Sequence, residues 1–186
     1  SCDNNAPDRM VLTGATLRGL EVFQTVVKRT DQRGTLFHVL NQTKTKFGAR
    51  MLKDWVGGPL TRIDDITERQ DAIEYLLKPG SLCREKIYNY FYNLMDLEVA
   101  LMSTLYKKIR PGDFVRMCQG LQKMHGMAQQ VLNLCEDLPD MLKHLLTMIV
   151  QGFSRSSSML GEINQKAAKD GKYEELFNNW QPFPET

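Results

Sequence analysis

One stretch limits the fold more than any other. From Phe114 to Cys135 the apolar residues are Phe114, Met117, Cys118, Leu121, Met124, Ala128, Val131 and Cys135. A spacing near 3.6 residues puts all of them on one face of a single long helix. Pro111-Gly112 reads as the turn before it, with Asp113 as its N-cap. Two methionines on this stripe, Met117 and Met124, suit irregular core space.

The same period runs through most of the chain. Leu36, Val39 and Leu40 have helical spacing, as do Phe47, Met51, Leu52 and Trp55 before the stop at Gly57-Gly58-Pro59. A third helix opens at Asp65, which with Glu68 has the spacing of a capping box, and shows Ile66, Ile73 and Leu77. Pro79-Gly80 ends it and Ser81 caps the next, which carries Ile87, Tyr90, Phe91 and Leu94. A break near Asp96 precedes Leu97, Ala100, Leu101 and Leu105. After the long helix come an apolar helix over "MLKHLLTMIVQGF", a polar break at "SRSSS" and a last helix from about Met159. "TLRGLEVFQ" fits either a short strand or a helix and is read here as a strand leading to a turn at "DQRG", and "NNWQPFPET" reads as a boundary. These segments predict an all-α, multi-helix fold with at most a short N-terminal strand. No internal repeat is evident.

Composition excludes several function classes. The 186 residues are 42% hydrophobic and 25% charged, which places the chain among globular proteins. A net charge of +2 gives no broad basic surface for nucleic acid. No apolar run has the length of a bilayer span, so no membrane role is expected. "SCDNNAPDRM" lacks the layout of a signal peptide, and a start without methionine points to a fragment. Cys2, Cys83, Cys118 and Cys135 form no CxxC pair and read as reduced thiols of an intracellular protein.

Catalytic patterns are missing. His38, His125 and His144 have no partner at metal-binding spacing. There is no GxxxxGK[ST], GxGxxG or GxSxG, so the chain is not expected to be an enzyme or to hydrolyse ATP. Asp64-Asp65 fits a helix start better than a paired-carboxylate site. Lys46, Arg50 and Lys53, four and three residues apart, share a helix face near Lys44. That face suits either DNA phosphates or solvent with one buried arginine.

The run "GTLFHVLNQTKTKFGARMLKDWVGGPL", followed by "IDDITERQDAIEYL", resembles the lever-domain signature of the MutS mismatch-repair family. Matching positions are Thr35, Leu36, Val39, Leu40, Asn41, Thr43, Thr45, Gly48, Arg50, Leu52, Trp55, Pro59, Leu60, Ile66 and Arg69. "ATLRGLEVF" is similar to the family's entry segment. The likeness is clear from Met10 to the "GDFVRM" helix. "INQKAAKDGKYEELF" is similar to the branch of eukaryotic MutS homologue 3, which handles insertion–deletion loops. One departure is Val99, where the family often has arginine after Asp-Leu-Glu.

The resemblance implies an elongated multi-helix, lever-type bundle: a 1–9 tail followed by the ascending part of a lever, 10–186, before the clamp insertion. It implies a longer parent with a mismatch-binding domain, a connector, a clamp and an ATPase binding ATP and magnesium. It further implies action on mismatched or looped DNA, a heterodimer with MutS homologue 2 and a nuclear location. No cofactor is expected in this fragment. Within the signature, Thr43 and Thr45 have hydroxyls for the free N–H groups of a helix start. Gly48 leaves room for another backbone, Arg50 is placed to meet Asp71, Glu98 or exposed carbonyls, and Trp55 fills core near Gly57. The alternative function is a stand-alone helical protein–protein interaction module. A lever segment should show apolar side chains on several faces, and a module one bounded patch.

Overall fold

The computed structural model describes residues 8–26, 33–92 and 94–177. The segment "NNWQPFPET" lies outside them, as do Asp31 and Gln32 of "DQRG". Ten helices form among the described residues: α1 (Gly14–Gly19), α2 (Leu36–Leu40), α3 (Lys46–Gly57), α4 (Ile63–Leu77), α5 (Leu82–Phe91), α6 (Leu97–Leu105), α7 (Pro111–Leu134), α8 (Asp140–Gly152), α9 (Ser156–Glu162) and α10 (Gln165–Lys169). Bridges between strand-like residues are limited to Arg9 with Leu60 and Ile163 with Phe177 among these residues. The fold is all-α, as the periodicity predicts. The chain divides into two units, Ser1–Gly80 with Pro139–Met141, and Ser81–Leu138 with Leu142–Thr186.

In the second unit α5, α6, α9 and α10 pack on α7. Phe114, Met117, Cys118, Leu121, Ala128 and Val131 of the stripe are buried, and Met124 and Cys135 are half-buried. The helix begins at Pro111, not after Asp113. Proline's fixed φ suits the first helical position, and its missing N–H is one that a first turn leaves unused. Asp113 instead lies in the first turn, paired with Arg116. Gly120 is where α6 comes close: an added Cβ would stand 3.3 Å from Leu97 Cδ2 and 3.5 Å from Leu94 Cδ1. The break at Asp96 is present, and Asp96 caps α6 through the Val99 N–H. Val99 is itself exposed, so an arginine in its place would stand at the surface.

The last helices differ from the sequence pattern. Helix α9 starts at Ser156, earlier than Met159. Helix α10 has too few residues to show a period. Asn164 caps it, Ala167 and Ala168 are buried, and the Asn164 N–H donates to the Leu176 carbonyl at 2.8 Å. This return brings Phe177 edge-on to Phe114, with ring centroids 6.2 Å apart.

In the first unit the expected strand at "TLRGLEVFQ" is helix α1 followed by a turn. Thr13 caps it by accepting the Thr16 N–H, and Glu21 turns the chain at φ 48°. No neighbouring strand pairs with it among the described residues, so the local cap decides its conformation. The chain then returns through Gly34, at φ 92°, into α2. Thr35, fully buried, caps α2. Phe37 is the residue that α2 buries, because its N–H meets the Val22 carbonyl and its ring lies 5.7 Å from Phe23. Leu36, Val39 and Leu40, the expected apolar set, are exposed. Helix α4 starts at Ile63, two residues before the expected cap. Asp64 and Asp65 occupy its first turn, where carboxylates oppose the helix dipole, and Arg62 at the N-cap makes no side-chain cap.

Candidate functional site

The signature region is built around the start of α3. Thr45 Oγ1 accepts the Gly48 N–H at 3.1 Å, which satisfies one of the free amides of the first turn. Thr43 does not cap. Its hydroxyl donates to Asn41 Oδ1 at 2.6 Å, and its N–H reaches the same oxygen at 3.4 Å. Gly48 is required for a local reason, not for the approach of a distant backbone. A Cβ there would stand 2.7 Å from Thr45 Oγ1 and 3.7 Å from Thr43 Cβ. The capping hydroxyl occupies the space a side chain would need.

Lys46, Arg50 and Lys53 are all exposed on α3, so the arginine is not buried. Lys53 Nζ lies 5.3 Å from the centre of the Phe23 ring, a cation–π contact that holds the ammonium over that ring. The other two cations extend the same face along the helix.

Trp55 and Arg69 tie α3 to α4. The Arg69 guanidinium lies 3.6 Å from the centre of the Trp55 ring. Arg69 Nε and Asp65 Oδ2 are both buried and lack a hydrogen-bond partner. Burial, and then the neighbouring Arg9 charge, push the Arg69 guanidinium below its ordinary range, while Asp65 acts in the opposite direction. Arg9 is held there by backbone pairing: Met10 N–H donates to the Pro59 carbonyl at 2.8 Å and Thr61 N–H to the Asp8 carbonyl at 3.1 Å. The Arg9 guanidinium also reaches the Asp54 carbonyl at 3.4 Å. Sequence patterns identify Trp55 and Arg69 but not Arg9 as their neighbour, nor Phe23 as the neighbour of Lys53. Those contacts join residues far apart in the chain and follow no period, whereas Asp65 stands one helical turn before Arg69 on α4.

A second basic feature belongs to the other unit. An open cleft of about 550 Å³ at the start of α7 is lined by Arg110, Asp113, Arg116, Gln165 and Lys169. His38 and His144 are exposed and His125 is half-buried. Among the described residues, no three His, Cys, Asp or Glu side chains gather in a way that would hold a metal ion. No helix among them is long and apolar enough to cross a membrane. The signature side chains cap a helix, clear space for that cap and stack between helices.

The family model for MutS domain III matches residues 15–181. The DNA mismatch repair protein Msh3 of Homo sapiens is 33% identical over 179 residues, covering 94% of this chain and 16% of its own length. Msh3 of Mus musculus is 35% identical over 182 residues, with the same shares. The DNA mismatch repair protein MutS of Lachnoclostridium phytofermentans is 35% identical over 127 residues, 68% of this chain and 13% of its own. The chain thus spans 16% of the length of the two Msh3 relatives.

Proposed function

The chain belongs to the MutS family of DNA mismatch repair proteins, and from that premise we propose that it is a lever segment coupling an ATPase to the grip on DNA. The observation that carries this reading is the spread of exposed apolar side chains. They occur at Leu36 and Val39 on α2, Met51 on α3, Ile63 and Leu77 on α4, Leu105 on α6, and Leu145 and Met148 on α8. Apolar surface on many helices fits a segment that packs against further parts of a longer protein. A self-contained interaction module calls for one bounded patch.

In this reading residues 10–186 act mechanically. The cap at Thr45 and the Trp55–Arg69 stack keep α3 and α4 moving as one piece. ATP and magnesium bind elsewhere in the longer protein, mismatched or looped DNA is its substrate, and MutS homologue 2 is its partner in the nucleus. Lys46, Arg50 and Lys53 contribute at most backbone contacts to DNA.

The test uses a full-length MutS-family protein carrying this segment. Trp55→Ala and Arg69→Met should leave basal ATP hydrolysis within about twofold while weakening the ATP-driven release of mismatched DNA. Folded variants with undiminished ATP-driven release would overturn the lever reading.

A further inference from the structure

We propose that Cys83 and Cys135 are the site of a peroxide-driven disulfide that fastens the start of α5 to the end of α7. The pairing follows from how the two helices lie. The Tyr90 hydroxyl donates to the Gly120 carbonyl at 3.0 Å, and Lys86 Nζ donates to Gln130 Oε1 at 3.3 Å. Moving back along α5 therefore means moving forward along α7, so the helices run antiparallel. The next inward residue toward the start of α5 is Cys83, which is 1% exposed. The same register carries α7 to its C-cap, Cys135. Cys135 is close enough there to act on the Cys83 thiol. Both are free.

The third described thiol is poorly placed for either partner. Cys118 lies 17 positions before Cys135 on the same helix, about 25 Å at 1.5 Å per residue. The antiparallel register puts Cys83 about as far from it.

The two thiols have different parts in the reaction. Cys135 is half-buried at a helix end, where solvent reaches it. Its thiolate attacks one oxygen of hydrogen peroxide, the O–O bond breaks, and sulfenic acid and hydroxide form. Cys83 then loses its proton, and its sulfur attacks the Cys135 sulfur. The S–O bond breaks and the departing hydroxide takes up a proton. In sum, two thiols and one hydrogen peroxide give one disulfide and two waters, a two-electron oxidation. Burial of Cys83 makes it slow to meet peroxide but places it against the sulfenic acid once that forms. The product braces α5 against α7 without moving either helix far.

The experiment treats the whole chain with graded hydrogen peroxide under native conditions, alkylates the remaining thiols and maps peptides without reduction. The expected result is a cross-linked peptide pair containing Cys83 and Cys135, with Cys118 recovered alkylated. In Cys135→Ser the Cys83 thiol should stay reduced at peroxide levels that close the bond in the parent sequence. Chain unfolded in urea before oxidation should lose the preference for this pair. Recovery of both cysteines as thiols, a different dominant pair, or equal preference in urea would overturn the proposal. So would oxidation of Cys83 at the same peroxide level in Cys135→Ser.

Discussion

At single positions the largest effects come from side chains that other groups have already displaced. Gly48 has no freedom to become alanine while Thr45 caps α3, because the new Cβ would stand 2.7 Å from the capping oxygen. Alanine otherwise favours a helix by about 1 kcal/mol over glycine. The two sites should therefore couple. Thr45→Ala alone should cost about 1 kcal/mol through the missing cap. Gly48→Ala alone should also destabilise, since it displaces the same cap. In a Thr45→Ala background, Gly48→Ala should be neutral or stabilising. Urea midpoints of the four chains decide this, and additive losses would mean that something other than Thr45 Oγ1 excludes a side chain. Gly48→Val should exceed Lys44→Ala by about 1–3 kcal/mol in the same assay.

Cys83 adds a pH dependence at the same scale. Burial, with Cys135 adding to it, pushes its thiol from 9.0 up to about 11. The folded chain thus keeps a proton that the unfolded chain gives up above pH 9. The unfolded state binds fewer protons in that window, so stability falls from about pH 9 to about pH 11. Cys83→Ala lacks this decline. Its deficit relative to the parent chain, read from urea midpoints, should shrink between about pH 8 and about pH 10.5. A constant deficit would show that the thiol ionises alike in both states.

At the level of elements, length decides what a sequence shows. Helix α7 has 24 residues, so its stripe repeats often enough to be read directly, and six of its eight stripe positions are buried. Helices α1, α2 and α10 have five or six residues, fewer than two turns, and no period can establish itself. They form because Thr13, Thr35 and Asn164 cap them and tertiary contacts hold them. Those contacts, such as Phe37 on Phe23, join residues that no local pattern relates. The cap at Ser81 is readable because it precedes an apolar run, whereas at Asp96 the pattern shows the break but not the cap. Caps are misplaced at Asp65 and Asp113, because acidic residues suit both the cap and the first turn, and the pattern alone does not separate the two. The seam between α6 and α7 offers a test of packing. Gly120→Ala should be close to neutral, with helix preference offsetting a tight approach to Leu97, whereas Gly120→Val should cost about 1–3 kcal/mol. A valine variant as stable as the parent would show that α6 yields freely.

For the whole molecule, the remaining question is whether this chain reads DNA itself. The basic face is legible because Lys46, Arg50 and Lys53 lie on one regular helix. Its strength depends on features the sequence does not show. The Lys53 ammonium lies over the Phe23 ring, so a phosphate there competes with a cation–π contact. Three phosphate contacts give a salt slope of about −2.7, so affinity should fall about 40-fold between 50 and 200 mM salt. Against this small gain stands a net charge of +2, with 22 acidic residues balancing 24 basic ones. Binding should lie near the non-specific range, about 10⁻⁴ M or weaker at physiological salt. Phosphate contacts carry no sequence or shape code, so looped and fully paired duplexes should bind alike. Fluorescence anisotropy with both duplexes at two salt concentrations measures all three quantities. Replacing Lys46 and Arg50 by alanine should reduce the salt slope by about 2, one unit for each phosphate no longer neutralised. Tight binding that favours the looped duplex would place lesion recognition within these helices, and the mechanical reading of the chain would give way to a direct one.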